Sequence, residues 1–191
     1  MSGIRRVVLT GGPRAGKSSV FAALEQRLGA TLGFGHEVAT RLLAEGHPVP
    51  SSEDEVRAFQ QRVIEEQRRI EEALEESHPG RAHILDRGLP DGASYWPGGP
   101  EAFADHFDLH WETELRRYEL VIHLESHVPE EAVLRDGNAT RFETHEQALA
   151  LDMRIRQIWE AHPGYLHLKA RPRIEDKLTE ALDHLGNHGV L

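Results

Sequence analysis

The chain has 191 residues, 39% hydrophobic and 28% charged, a balance that suits one α/β core and excludes a disordered or fibrous polypeptide. Asp and Glu number 32 against 22 Lys and Arg, and the formal charge of -10 repels a phosphate backbone and an anionic membrane alike, so no nucleic-acid partner is expected. Cysteine is absent, which excludes disulfides, thiol nucleophiles and cysteine-ligated zinc.

The amino-terminal segment MSGIRRVVLTGG reaches a glycine turn after a few apolar residues, too soon for an export signal or a membrane span, so a cytoplasmic protein is expected. Within it, Ile4–Leu9 reads as a buried strand that ends at Thr10, Gly11 and Gly12. A helix follows from Lys17 to about Leu28, with Val20, Phe21, Leu24 and Leu28 at helical spacing and Gly29 where a cap belongs. Thr31–Val38 is a glycine-interrupted second strand that leads into a short helix through Arg41 and Leu43.

A long helix spans Ser52–Ser77, its predicted buried stripe being Val56, Phe59, Val63, Ile70 and Leu74, shared by Gln60 and Gln67. Ala82–Leu85 is a third strand, followed by Asp86, Arg87 and a Gly/Pro-rich loop around Tyr95 and Trp96. Leu120–Leu124 is a fourth, and Tyr165–Leu168 a fifth. Helices are predicted from about His145 to Glu160 and from Ile174 to about Leu185. Five short apolar runs separated by helical patterns imply a parallel sheet with helices on both faces, because parallel neighbours require crossover connections. No repeat or linker divides residues 1–191, which are expected to form one domain.

The segment GGPRAGKS, Gly11–Ser18, satisfies G-x-x-x-x-G-K-S between a strand and a helix. In such a loop, backbone N–H groups wrap the phosphates of ATP or GTP, a lysine serves the β and γ phosphates, and a hydroxyl ligates Mg²⁺. The expected nucleotide-binding residues are therefore Gly11, Gly12, Pro13, Arg14, Ala15, Gly16, Lys17, Ser18 and Ser19, with Ser18 on the metal.

Asp86 ends the third strand, where a carboxylate faces a metal bound at strand carboxyl ends, and Arg87 beside it is placed for a transferring phosphate. Glu125, after the fourth strand, competes with Asp86 for the metal. Glu37 is a candidate base for an acceptor hydroxyl, or else an acid stabilised by a helix N-terminus. Arg135 and Arg141 stand in a polar stretch suited to a lid near residues 129–145; Arg141 is the stronger candidate for developing charge, against a solvated loop arginine. His106 and His110 have i, i+4 spacing for a metal, but no HExxH accompanies them, and chance placement explains them better.

The phosphate loop, EVATRLL at Glu37, DRGLPD at Asp86 and NATRFE at Arg141, with the final strand and helix, resemble a P-loop AAA-type ATPase family that includes the ribosylnicotinamide kinase domain of the NAD-biosynthesis regulator. The resemblance implies a P-loop NTPase of nucleoside-kinase-like fold, with Lys17 and Ser18 at the phosphates and Asp86 and Arg87 at the catalytic centre. It also implies Arg141 in a lid, Glu37 and Asp91 near the acceptor, and Arg171 with Pro172 bordering the nucleobase. The expected partners are a nucleoside triphosphate and a small-molecule acceptor. Two readings follow: a kinase moving a γ-phosphate to a hydroxyl, or a nucleotide-dependent switch acting through a protein or lipid partner.

Overall fold

The computed structural model describes residues 5–126 and 145–191, the His145 side chain excepted. Five strands form one sheet: β1 (Arg6–Thr10), β2 (Gly33–Gly35), β3 (His83–Asp86), β4 (Leu120–Leu124) and β5 (Tyr165–Leu168). Their order is β2-β3-β1-β4-β5 and every pairing is parallel. The strand order reverses at central β1, so the crevice at its carboxyl end is where a ligand settles in sheets of this kind.

Alternation along the strands divides the interior in two. Val7 and Leu9 of β1, Ile84 of β3 and Leu120, Ile122 and Leu124 of β4 pack with Val20, Phe21, Leu24, Leu178, Ala181 and Leu185. These come from α1 (Lys17–Leu28) and α7 (Ile174–Asn187). Val8, Leu85 and Val121 face the other way, against Ile64, Ile155, Ile158 and Trp159. These belong to α3 (Glu53–Ser77) and α6 (His145–Trp159). A period of two in the strands thus feeds two helical layers.

The short α2 (Val38–Ala44) follows β2, and α3 begins at Ser52, whose side chain accepts the Glu55 N–H ahead of an acidic first turn. The segment expected as an irregular loop after β3 is instead a 3₁₀ helix (Leu89–Ser94) followed by α4 (Gly99–His106) and α5 (Trp111–Leu115). His106 ends α4 and His110 is the extended residue that caps α5, so the two do not share one helix face. The His106 ring lies 4.8 Å from that of Trp96, and among the described residues no cluster of three metal-ligating side chains forms. No helix of the described residues is long and apolar enough to cross a membrane.

The buried line of α3 differs from the predicted stripe. It runs through Gln60, Ile64, Gln67, Glu71 and Leu74, with Val56, Phe59, Val63 and Ile70 only half-buried. Hydrophobic spacing placed Gln60, Gln67 and Leu74 on this line but missed Ile64 and Glu71, and the partners of Glu71 lie partly on distant segments of the chain. Glu71, 1% exposed, accepts from Arg117 Nη2 at 2.5 Å, Tyr118 Oη at 3.0 Å and Gln67 Nε2 at 3.1 Å. The Arg6 guanidinium stands 3.7 Å away. Tyr118 Oη in turn accepts the Leu89 N–H, and Gln67 Nε2 donates to the Arg87 carbonyl, so this network also anchors the turn after β3.

Truncating Glu71 strips a buried carboxylate from two guanidiniums and a phenol, so Glu71→Ala is expected to cost about 3 kcal/mol in urea unfolding. A midpoint equal to wild type would contradict this account of α3.

A phosphate loop with a collapsed charge cluster

The loop after β1 takes a path that only glycine permits at two points. Gly11 has φ 148°, and a Cβ there would lie 2.3 Å from the Leu124 carbonyl oxygen. Gly16 is left-handed at φ 79° and caps α1, where a Cβ would meet Ile174 Cδ1 at 2.8 Å. No side chain caps α1 and its first turn holds no acidic residue, so nothing on the helix competes for its N-terminal N–H groups. Those donors and the helix dipole suit an anion. Ser18 and Ser19 are exposed in that first turn, whereas Lys17 is buried.

Three residues that the motifs did not reveal brace the loop. Asp152 of α6 accepts the Gly12 N–H at 2.7 Å and lies 3.0 Å from His123 Nε2. Ser126 Oγ stands 2.9 Å from the Pro13 carbonyl and 3.2 Å from Asp152, its single proton serving one at a time. Burial alone would raise the Asp152 carboxyl, but bonds from His123, Gly12 and Ser126 hold it below its ordinary range. The one trace of this in the sequence is His123 itself, a polar residue in the buried strand LVIHL.

At the mouth of the loop four charges meet. Lys17 Nζ donates to Asp86 Oδ1 and stands 3.5 Å from Glu37 Oε2. Glu37 Oε1 accepts from Arg87 Nε at 2.6 Å, and its other oxygen accepts from Thr40 Oγ1 at 2.9 Å. Burial would raise the Glu37 carboxyl, yet Arg87 and Lys17 pull it down to about 2. Burial pushes the Asp86 carboxyl up; Lys17 opposes the rise and the Glu37 charge adds to it.

Arg87 has a left-handed backbone, φ 77°, a strained conformation for a non-glycine residue. Its N–H donates to the Leu9 carbonyl at 3.1 Å and its own carbonyl accepts from Gln67 at 3.3 Å, which hold it there. The guanidinium lies over the Tyr95 ring at 5.9 Å and reaches Asp91 Oδ1 at 3.4 Å. Asp91, expected near an acceptor, is 1% exposed and accepts from Gly88 N–H at 2.9 Å, Trp159 Nε1 at 3.2 Å and Thr10 Oγ1. It serves to hold Arg87 and the end of β1 together.

The structure therefore brings Lys17, Glu37, Asp86 and Arg87 into one cluster. Glu125 stays outside it, accepting the Ala170 N–H at 2.8 Å. Arg171 is half-exposed, 3.6 Å from Glu180. Arg135, Arg141 and residues 129–144 of the expected lid lie outside the described residues. A divalent ion at the loop would find the Ser18 hydroxyl and the Asp86 carboxylate but, among the described residues, no all-protein cage. That sparse donor set fits Mg²⁺, which keeps its waters and takes phosphate oxygens together with one or two protein ligands.

A five-stranded parallel sheet, glycine loop and Lys-Ser helix start define a P-loop NTPase fold. The chain matches the AAA domain family over residues 6–177 and belongs to it. No curated protein matches the chain. Among solved structures, it is similar to deoxyadenosine kinase from M. mycoides with bound dATP, at 15% identity and a TM-score of 0.68, covering 95% of this chain and 99% of that one. It is also similar to thymidylate kinase from Candida albicans, at 14% identity and a TM-score of 0.63, over 98% and 93% of the two chains. Thymidylate kinase from Ehrlichia chaffeensis gives 12% identity and 0.63, over 96% and 99%.

Since Glu37 is held below its ordinary value of 4.5 in the fold, its contribution to stability is fully present above that pH and lost as pH falls toward 2. Glu37→Gln is expected to lower stability by about 2–3 kcal/mol at neutral pH. The gap from wild type should close as the solution is acidified from 4.5 toward 2. A gap independent of pH in urea titrations would contradict the ion-paired assignment.

Proposed function

We propose that this chain, acting as one nucleotide-binding unit over residues 1–191, is a phosphotransferase that moves the γ-phosphate of ATP or GTP to a hydroxyl of a nucleoside-like small molecule. The observation that carries this reading is the cluster of Lys17, Asp86, Glu37 and Arg87 at the mouth of the phosphate loop. A loop that only binds nucleotide needs the lysine and the backbone N–H groups. A transferase also needs a proton acceptor and a cation beside the transferred group, and the cluster supplies both.

In this reading the polyphosphate takes the place of Asp86 at Lys17, and the N–H groups from Gly16 to Ser19 wrap it. Ser18 and Asp86 would hold Mg²⁺, which would supply charge neutralisation for the transferring phosphoryl group. Arg87 turns toward the transferring group. Loss of Lys17 and Arg87 to phosphate oxygens removes the two cations that depress Glu37, and its carboxylate becomes a better acceptor for the proton of the attacking hydroxyl. Arg141 is proposed to reach the developing charge from the lid, and Arg171 to border the nucleobase.

The similarity to deoxyadenosine and thymidylate kinases supports a nucleoside or nucleotide as the acceptor class, and ribosylnicotinamide is one specific candidate within it. The test is a screen of nucleosides and nucleotides, ribosylnicotinamide among them, for acceptor-dependent release of ADP or GDP, with the phosphorylated product identified by mass. The expected result is one product per nucleotide consumed. Hydrolysis that no acceptor stimulates would favour a nucleotide-dependent switch instead.

With the acceptor in hand, Lys17→Ala is expected to lower turnover at least about 10²-fold while the circular dichroism stays native. Asp86→Asn should lower kcat more than nucleotide affinity, as the loop N–H groups remain. Wild-type turnover in Lys17→Ala would remove the phosphate loop from the chemistry.

A further inference from the structure

A second lysine touches the phosphate loop, outside the charge cluster. Lys177, in the first turn of α7, is 2% exposed, so its whole side chain is out of water. Its Nζ donates to the Ala15 carbonyl at 2.6 Å and to the Glu125 carbonyl at 3.4 Å. It comes within 3.9 Å of the point a Cβ on Gly16 would occupy. Both its hydrogen bonds end on backbone oxygens and, among the described residues, it forms no ion pair. Glu125 and Asp152 are near enough for their charge to be felt, but burial dominates and lowers the ammonium below its ordinary range.

An ammonium without an ion pair is a costly way to fill an interior, since a methionine of the same length would pack there without the desolvation penalty. A charge in this position must therefore be judged by what it touches. The Ala15 carbonyl belongs to the same peptide unit as the Gly16 N–H, in the loop turn that precedes Lys17. A cation hydrogen-bonded to the oxygen of a peptide withdraws density from it and makes the attached N–H a stronger donor, an effect enhanced in a dry interior. It also fixes the plane of that peptide. Asp152 holds the opposite shoulder of the loop, at the Gly12 N–H.

We infer that Lys177 is a positioning residue for nucleotide phosphates: its buried ammonium, bonded to the Ala15 carbonyl, orients and polarises the Ala15–Gly16 peptide toward a polyphosphate in the loop. This inference rests on the phosphate loop's binding a nucleoside triphosphate, and assigns a function to a residue of α7 that lies outside every loop motif. It predicts a separation that a purely structural lysine would not show. Removing the charge should leave the nucleotide-free fold as stable as before, or more so, and yet weaken the ligand.

The experiment compares wild type, Lys177→Met and Lys177→Gln by thermal unfolding without nucleotide and by calorimetric titration of ATP with Mg²⁺ well below the melting point. Lys177→Met should melt no lower than wild type and bind ATP about tenfold more weakly; Lys177→Gln, which keeps an N–H donor without its charge, should fall between. Unchanged ATP affinity in Lys177→Met would overturn the inference and leave the phosphate loop standing. A large loss of melting temperature in both variants would equally overturn it, making Lys177 a packing residue. Absence of binding of both ATP and GTP by wild type would instead remove the phosphate-loop reading on which the inference rests.

Discussion

Lys17 and Asp86 face one another across the carboxyl ends of β1 and β3, and the ion pair between them organises everything at that end of the sheet. Their strands are adjacent and in register, Leu9 beside Asp86, so a lysine that opens α1 falls back over the end of β3. Two opposite charges taken out of water attract strongly but have each lost their hydration, and such a pair is stable only with further partners. Glu37 and Arg87 are those partners, and Asp91 behind Arg87 extends the network to Thr10 and Trp159. Free of ligand, the lysine neutralises itself on protein carboxylates. A polyphosphate has more charge to offer and the N–H groups of the loop besides.

Preorganisation at this site comes from its surroundings. Arg87 is held in a left-handed conformation by bonds at both its N–H and its carbonyl, and the second of these runs through Gln67 to Glu71, deep among Arg6, Arg117 and Tyr118. The loop is braced by Asp152 at one shoulder and the α7 lysine at the other. These contacts come from α3, α6 and α7, so the three longest helices each place a polar side chain at or beside the site. Their apolar faces build the two cores; their polar residues, out of step with those faces, position the chemistry.

This division explains what the sequence disclosed and what it withheld. The parallel sheet, the succession of strands and helices along the chain and the phosphate loop were all legible, because β-branched runs, crossover spacing and G-x-x-x-x-G-K-S are local signals. Glu37, Asp86 and Arg87 could be named because each ends or follows a strand. The buried line of α3 was displaced at Glu71, which reads as solvent-facing until its partners Arg117 and Tyr118, distant in sequence, are known. Asp152 and Ser126 escaped for the same reason: their meaning lies in contacts with Gly12 and Pro13, more than a hundred residues away, and His123 acts only through Asp152. The chance placement expected for His106 and His110 agrees with the break between α4 and α5, where Asp108 takes φ 51°.

The claim at the centre of this account is that the Lys17–Asp86 pair is a placeholder for a polyphosphate. A crystal structure of the chain with a non-hydrolysable ATP analogue and Mg²⁺ tests it most directly. The account predicts Lys17 Nζ withdrawn from Asp86 and in contact with the β and γ phosphates, with Arg87 turned from Glu37 toward the terminal phosphate. An analogue bound elsewhere, with Lys17 still paired to Asp86, would contradict it.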